Sequence, residues 1–180
     1  ILKKIKYLES DLILHALSSS GEKKSFIARG ALKSKKRFGG GVLEPTHYVT
    51  ILYQDKGDDS GGGLRSLREA SMLNAFPGLR LDYSRLETAL HFLKLASDVA
   101  REGDMESRDL FNLVGNALRA AETTEDAMKL RVHFEVKLLA YQGVLPPLPE
   151  ENLLTAAPVS EHGRLSLAEG DWRIVQARAK

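Results

Sequence analysis

Apolar positions along the first 78 residues recur in short runs broken by glycine and charge, the signature of strands and turns. The run DLILHAL (Asp11–Leu17) ends in the turn-forming Ser18-Ser19-Ser20-Gly21. KKSFIARG (Lys23–Gly30) has a strand-like centre flanked by charge. HYVTILYQ (His47–Gln54), rich in β-branched and aromatic residues, is the clearest strand. The apolar positions of Leu64–Phe76 fit a strand and a helix equally, and Pro77-Gly78 then punctuates the chain. Short strands separated by Gly-rich turns predict a small barrel or sandwich.

Beyond Pro77 the period becomes helical. Leu86, Leu90, Leu93 and Ser97 step down one face beside Ala89, Ala96 and Ala100, and Gly103 closes that helix. A second helix begins after Ser107, a good N-cap, and runs through Leu110, Val114, Leu118 and Ala121. A third starts at Thr124, with Glu125 and Asp126 in its first turn, where they favour the dipole. Its stripe is Ala127, Leu130, Phe134, Leu138 and Tyr141, stopped by Gly143 and Pro146-Pro147. From Pro146 onward the pattern weakens to a linker, with Leu165–Lys180 read as a short terminal helix.

Charge sharpens this outline. The net charge is +2, but residues 1–50 carry ten Lys/Arg against four Asp/Glu, while residues 51–180 carry sixteen against twenty. Such an asymmetry is expected when one basic module faces a polyanion, and small domains also show it by chance. Lys23, Lys24, Arg29, Lys33, Lys35, Lys36 and Arg37 fall within fifteen residues that hold no acidic residue, with Phe26 and Phe38 inside or against the run. Cations neutralise phosphates and an exposed ring stacks on an unpaired base. Phe26 reads as a core-strand residue, whereas Phe38 beside the glycines reads as a candidate stacking ring.

Catalytic chemistry is not legible. There is no GxxxxGK[ST] loop, and neither Gly39–Gly41 nor Gly61–Gly63 leads into a helix. His15, His47, His91, His133 and His162 show no metal-ligand spacing, and the chain has no cysteine, which removes disulfides, thiol catalysis and cysteine zinc sites. Ser18–Ser20 lacks a nucleophile-elbow context. Neither the pair Glu9 and Asp11 nor Asp58-Asp59 has a companion base. The expectation is a non-enzyme without cofactor or metal. No apolar run approaches the roughly 20 residues of a membrane span, and no secretory pattern is seen, so the expected location is cytoplasmic. The first residue is Ile1, not Met, and the expectation is a trimmed natural start.

Three segments carry a family resemblance. YLESDLIL (Tyr7–Leu14), ARGALKSKKRFGGGVLEP (Ala28–Pro45) and LREASMLNAFPGLR (Leu67–Arg80) resemble, in order and spacing, the N-terminal motifs of the bacterial DNA repair protein family RecO. YQGVLPPLPE (Tyr141–Glu150) sits where that family closes its helical core. The resemblance implies an α+β chain: a five-stranded oligonucleotide-binding (OB-fold) barrel over 1–78, a helical domain over 79–150 and a short variable region over 151–180. It implies no catalytic residues. RecO-like proteins bind single- and double-stranded DNA, anneal complementary strands and help place the RecA recombinase on strands coated by single-strand-binding protein. They work with RecR, sometimes with RecF, at the nucleoid, and contact the acidic C-terminal tail of single-strand-binding protein. Many members carry a four-cysteine zinc site that this chain cannot form, and the chain is short for the family.

The residues expected to meet nucleic acid are Lys23, Lys24, Arg29, Lys33, Lys35, Lys36, Arg37 and Phe38, with Arg80 at the junction of barrel and helices. An alternative reading is a protein-interaction scaffold that grips the tail of single-strand-binding protein and RecR, with Lys94, Lys129, Arg131 and Lys137 as pocket candidates and DNA contact secondary. An RNA-binding barrel shares the charge pattern but does not explain the ESDLI and FPGLR segments.

Overall fold

Leu12, Leu14 and Ala16 alternate with half-buried neighbours along β2 (Asp11–Leu17), the period that turns one face of a strand into a core. A computed structural model describes residues 1–34, 36–54, 63–102 and 108–144, together with the backbone of 163–168 and 171–176. In it β2 lies between β1 (Lys3–Tyr7) and β3 (Lys23–Ala28), both antiparallel to it. β5 (Arg65–Asn74) runs parallel to β3 and antiparallel to β4 (Tyr48–Gln54), giving the order β1-β2-β3-β5-β4. The ambiguous segment Leu64–Phe76 thus resolves as a strand, because β4 offers it an antiparallel ladder that no local helical contact outweighs. Register shifts at Tyr48/Val49 and Leu52/Tyr53 bend that ladder.

Five strands followed by three helices give the expected α+β class, an OB-type sheet and then helices. The sheet is not closed: β1 and β4 end the strand order. Just ahead of β4, Ile1 N donates to His47 O (2.7 Å) and Thr46 N to Ile1 O (3.1 Å), which tacks the two edges together at one end. The strand content therefore matches the expectation of a barrel, but the barrel is partly open, as OB-folds commonly are.

A buried set of Leu12, Leu14, Phe26, Ala28, Ala31, Phe38, Val42, Leu43 and Leu67 forms the core of the sheet. The second core belongs to α1 (Tyr83–Val99), α2 (Arg108–Ala121) and α3 (Ala127–Tyr141), with Leu2 and Phe76 reaching into it. α2 buries Leu110, Val114, Leu118 and Ala121 as its pattern requires. Along α1 the buried face is Thr88, Ala89, Phe92, Leu93 and Ala96, and Leu90 is 44% exposed. The expected face through Leu90 and Ser97 is thus rotated, because Phe92 stacks on Phe134 of α3 at 4.2 Å between ring centroids and sets the helix's orientation. Asp82 caps α1 through Arg85 N (3.0 Å), and Asp126 rather than Thr124 caps α3 through Lys129 N (2.9 Å). Gly103 and Ser107 lie outside the described residues.

Between sheet and helices, Phe76 adopts a left-handed backbone (φ 47°), with Asn74 Oδ1 accepting its N–H at 2.8 Å, and Pro77–Arg80 make one 3₁₀ turn. Gly78 N donates to Glu122 Oε1 (3.0 Å), while Arg85 Nη1 donates to Glu122 O (2.7 Å). A Cβ on Gly78 would stand 2.9 Å from that same carbonyl oxygen. Gly78→Ala is accordingly expected to cost about 1–3 kcal/mol by overpacking against backbone. Urea unfolding of the two proteins checks it, and a midpoint equal to the wild type's would contradict it.

The chain divides into two units, Ile1–Tyr141 and Gln142–Lys180. In the second, β6 (Gly163–Ala168) pairs antiparallel with β7 (Asp171–Gln176), Leu165 opposite Ile174 and Leu167 opposite Trp172. The expected terminal helix is therefore corrected to a hairpin. Leu165 and Leu167, like Trp172 and Ile174, recur with period two, which suits strands and not a helical stripe.

Candidate nucleic-acid interface

The connection from β3 to β4 is built from the inside out. Ala31, Phe38, Val42 and Leu43 are buried in the sheet's core and pin the segment at both ends. Gly30, at φ +65°, donates its N–H to Asp11 Oδ1 (2.8 Å), and Leu32 N donates to Ser10 O (3.0 Å), which fastens the start of the loop to the β1–β2 turn. At the other end Gly39–Gly41 form a 3₁₀ turn, with Gly40 at φ 67° and Gly41 at φ 70°, conformations that glycine adopts without penalty. Lys4 of β1 pairs with Glu44 at 2.5 Å and closes the base of the connection.

What this anchoring leaves in solvent is charge. Arg29, Lys33, Lys36 and Arg37 are all exposed. Among the described residues none of the four is paired with a carboxylate. Arg37 Nη2 donates to Arg29 O (2.9 Å), and its guanidinium lies 5.0 Å from the centroid of the Phe38 ring, so its fork is steered but its charge stays unneutralised. Like charges gathered on one anchored loop repel, and an external anion relieves that repulsion. Lys35 lies outside the described residues.

The other expected contacts are placed differently. Phe38 is 6% exposed and serves as the hydrophobic anchor of the loop, so its ring has no free face for a base. Lys23 Nζ donates to Ser97 O (2.9 Å), tying β3 to the end of α1. Beside it His15 Nδ1 donates to Ser25 Oγ (3.0 Å), which donates to Glu102 Oε1 (2.7 Å). Burial, with Lys23 and Lys3 nearby, holds the His15 pKa below its ordinary value. Lys24 pairs with Glu22 at 3.1 Å and sits 5.7 Å from the Tyr53 ring centroid. Burial pulls the Lys24 pKa down, but Glu22 and Tyr53 together outweigh it and leave the pKa raised. Arg80 donates to Ala75 O (3.1 Å), Pro45 O (3.3 Å) and Thr46 Oγ1 (3.3 Å). It thereby clamps Thr46, a buried β-branched residue at φ 77°, a conformation that is strained without support. The exposed cations of the β3–β4 loop are therefore Arg29, Lys33, Lys36 and Arg37, while Arg80, also exposed, is committed to these acceptors.

Sequence reasoning passed over β1, whose Lys3 and Lys6 add two exposed cations at the sheet edge. The signal was present in KKIKY, since lysines commonly guard an edge strand. On the helices, Arg131 is engaged by Glu87 (3.0 Å) and Thr88 (3.0 Å), and Lys94 by Asp98 (4.0 Å), so the charges named for a protein-binding pocket are partly neutralised from within. Among the described residues no group of three or more His, Asp or Glu could hold a metal, and the cysteine ligands of a four-cysteine zinc site are missing from the sequence. No helix of the described residues is long and apolar enough to cross a membrane.

Residues 1–76 match the family model described as recombination protein O N terminal, and residues 80–153 the model for recombination protein O C terminal. The chain is 31% identical over 172 residues to a DNA repair protein RecO of Syntrophus aciditrophicus, covering 94% of this chain and 64% of that protein. It is 32% identical over 161 residues to the DNA repair protein RecO of Anaeromyxobacter dehalogenans (strain 2CP-C), covering 89% and 61%. For that of Alkaliphilus metalliredigens the figures are 30% over 149 residues, 82% and 58%. The chain thus spans less than two thirds of the length of these relatives. With both family models matched in order on the sheet and on the helices, the chain belongs to the RecO family.

Proposed function

We propose that this chain is a non-enzymatic DNA-binding mediator of recombinational repair, acting at the nucleoid, that holds single strands on the β3–β4 loop and anneals complementary ones. The observation that carries the reading is the loop itself: four exposed cations without a carboxylate partner among the described residues, raised on a buried apolar base. Phosphate contacts of this kind are independent of sequence, as annealing of arbitrary strands requires. Shielding the charge of two strands on one basic surface lowers their mutual repulsion and brings complementary bases within reach. Membership in the RecO family supports the wider role, in which the chain helps load RecA onto strands coated by single-strand-binding protein, together with RecR and in some settings RecF.

Annealing is the direct test. Two complementary oligonucleotides carrying a donor and an acceptor dye are mixed with and without the protein, in the absence of nucleoside triphosphate. The expected result is annealing accelerated well above the spontaneous rate. Tight binding of both strands without acceleration would overturn the annealing role and leave a DNA-tethered scaffold for RecR and the single-strand-binding protein tail.

A further inference from the structure

A cleft of about 600 Å³ opens between β4 and α2, away from the basic loop. Among the described residues its lining holds five aromatic residues, Phe26, Tyr48, Tyr53, Phe76 and Phe111, and no aspartate or glutamate. Tyr48 and Phe111 meet at the mouth, 5.8 Å between centroids and inclined at 63°. An edge-to-face pair leaves ring faces available, and Tyr48 is 45% exposed.

The α2 wall carries Asn112 and Asn116, four residues apart and both exposed, with Arg119 one turn further on. Between them stands Gly115, in the middle of a 14-residue helix. Glycine is the poorest helix former after proline. A Cβ at Gly115 would meet nothing within 4 Å, so no packing inside the protein calls for glycine there. The space it leaves belongs to the cleft.

We propose that this cleft receives an unpaired base of a single-stranded nucleic acid, with Tyr48 and Phe111 as the stacking surface and Asn112 and Asn116 as partners for the base edge. The site rests on the DNA-binding reading above and extends it from phosphates to bases. Carboxamides supply both a donor and an acceptor, the complement of a base edge, and every base has a face that stacks on an aromatic ring. An acidic peptide would ask for several free cations, whereas the cleft offers Arg119 and a Lys24 already paired with Glu22. A base held in this way must be unstacked, so the site separates single strands from duplex.

The test uses the whole chain and two substitutions that act differently on folding. Gly115→Leu fills the cleft from a helix that it strengthens, and Tyr48→Ala removes the exposed ring. Binding is read by anisotropy with a labelled oligothymidylate and with a hairpin duplex of equal charge. Both variants are expected to lose about tenfold or more in affinity for the single strand and to keep the wild-type affinity for duplex. Gly115→Leu is expected to melt no lower than the wild type. Irradiation of an oligonucleotide carrying 5-iodouracil is expected to attach it to the peptide holding Tyr48 or Phe111. Single-strand affinity within twofold of wild type in both variants would overturn the cleft site, while the DNA-binding reading would stand. A labelled acidic peptide that binds the wild type and is lost in Gly115→Leu, with single-strand affinity unmoved, would overturn it in favour of a peptide groove. A wild type that binds neither oligonucleotide would bring down both readings.

Discussion

Replacing Lys33, Lys35, Lys36 and Arg37 together by alanine is expected to flatten the salt dependence of single-strand binding. If each contacts one phosphate, four contacts contribute a slope of about −2.8 to log K against log salt. Between about 50 and about 200 mM salt the wild type then loses roughly fifty-fold more affinity than the variant. Three of the four side chains are described, and each is exposed without an ion pair to sacrifice, so the loss reports on the ligand and not on the fold. Arg37 alone has a structural bond, to Arg29 O, and a melting curve by circular dichroism separates that contribution. An unchanged slope in the folded variant would place the DNA elsewhere.

Phe92→Ala is expected to be the most damaging single substitution in the helices. Phe92 is fully buried and stacks on Phe134, itself 1% exposed, at the centre of the core shared by α1, α2 and α3. Truncating a buried phenylalanine to alanine costs about 3–5 kcal/mol through lost transfer energy and the cavity left behind. Against a total stability of about 5–15 kcal/mol for a domain, that is enough to leave much of the protein unfolded at elevated temperature. Leu90→Ala, two residues away and on the exposed side, is expected to change stability by less than about 1 kcal/mol. Urea unfolding of the pair distinguishes the two faces of α1, and equal losses would contradict the packing described.

Elements whose burial follows a simple period were legible in the sequence. β2 alternates, α2 keeps its i, i+3, i+4 stripe, and β4 is dense in β-branched and aromatic residues. β1 was not, because three of its five residues are lysine and its strand character comes from pairing with β2 along its whole length. On α1, Ala89, Leu93, Ala96 and Ala100 are buried as expected, but Leu90 and Phe92 are both apolar, and only the Phe134 ring across the interface selects between them. The basic loop was legible as charge, but composition does not say which cations are committed internally. Lys23 has its partner 74 residues away, and Arg80 has two of its three acceptors 35 and 34 residues away, which no local pattern reveals. Phe38 reads as a candidate stacking ring because glycines follow it. Those glycines let the chain fold back and bury the ring with Val42 and Leu43. The cleft between β4 and α2 joins segments some 60 residues apart, which no local pattern brings together.

Nucleic acid is expected to meet the protein on the β3–β4 loop. Lysine acetylation followed by mass spectrometry, with and without a saturating single-stranded oligonucleotide, tests it without altering the protein. The expected result is that Lys33 and Lys36 are shielded several-fold, while Lys94, Lys129 and Lys137 on the helices react at their free rate. Shielding of the helical lysines, with Lys33 and Lys36 modified as fast as in the free protein, would contradict it.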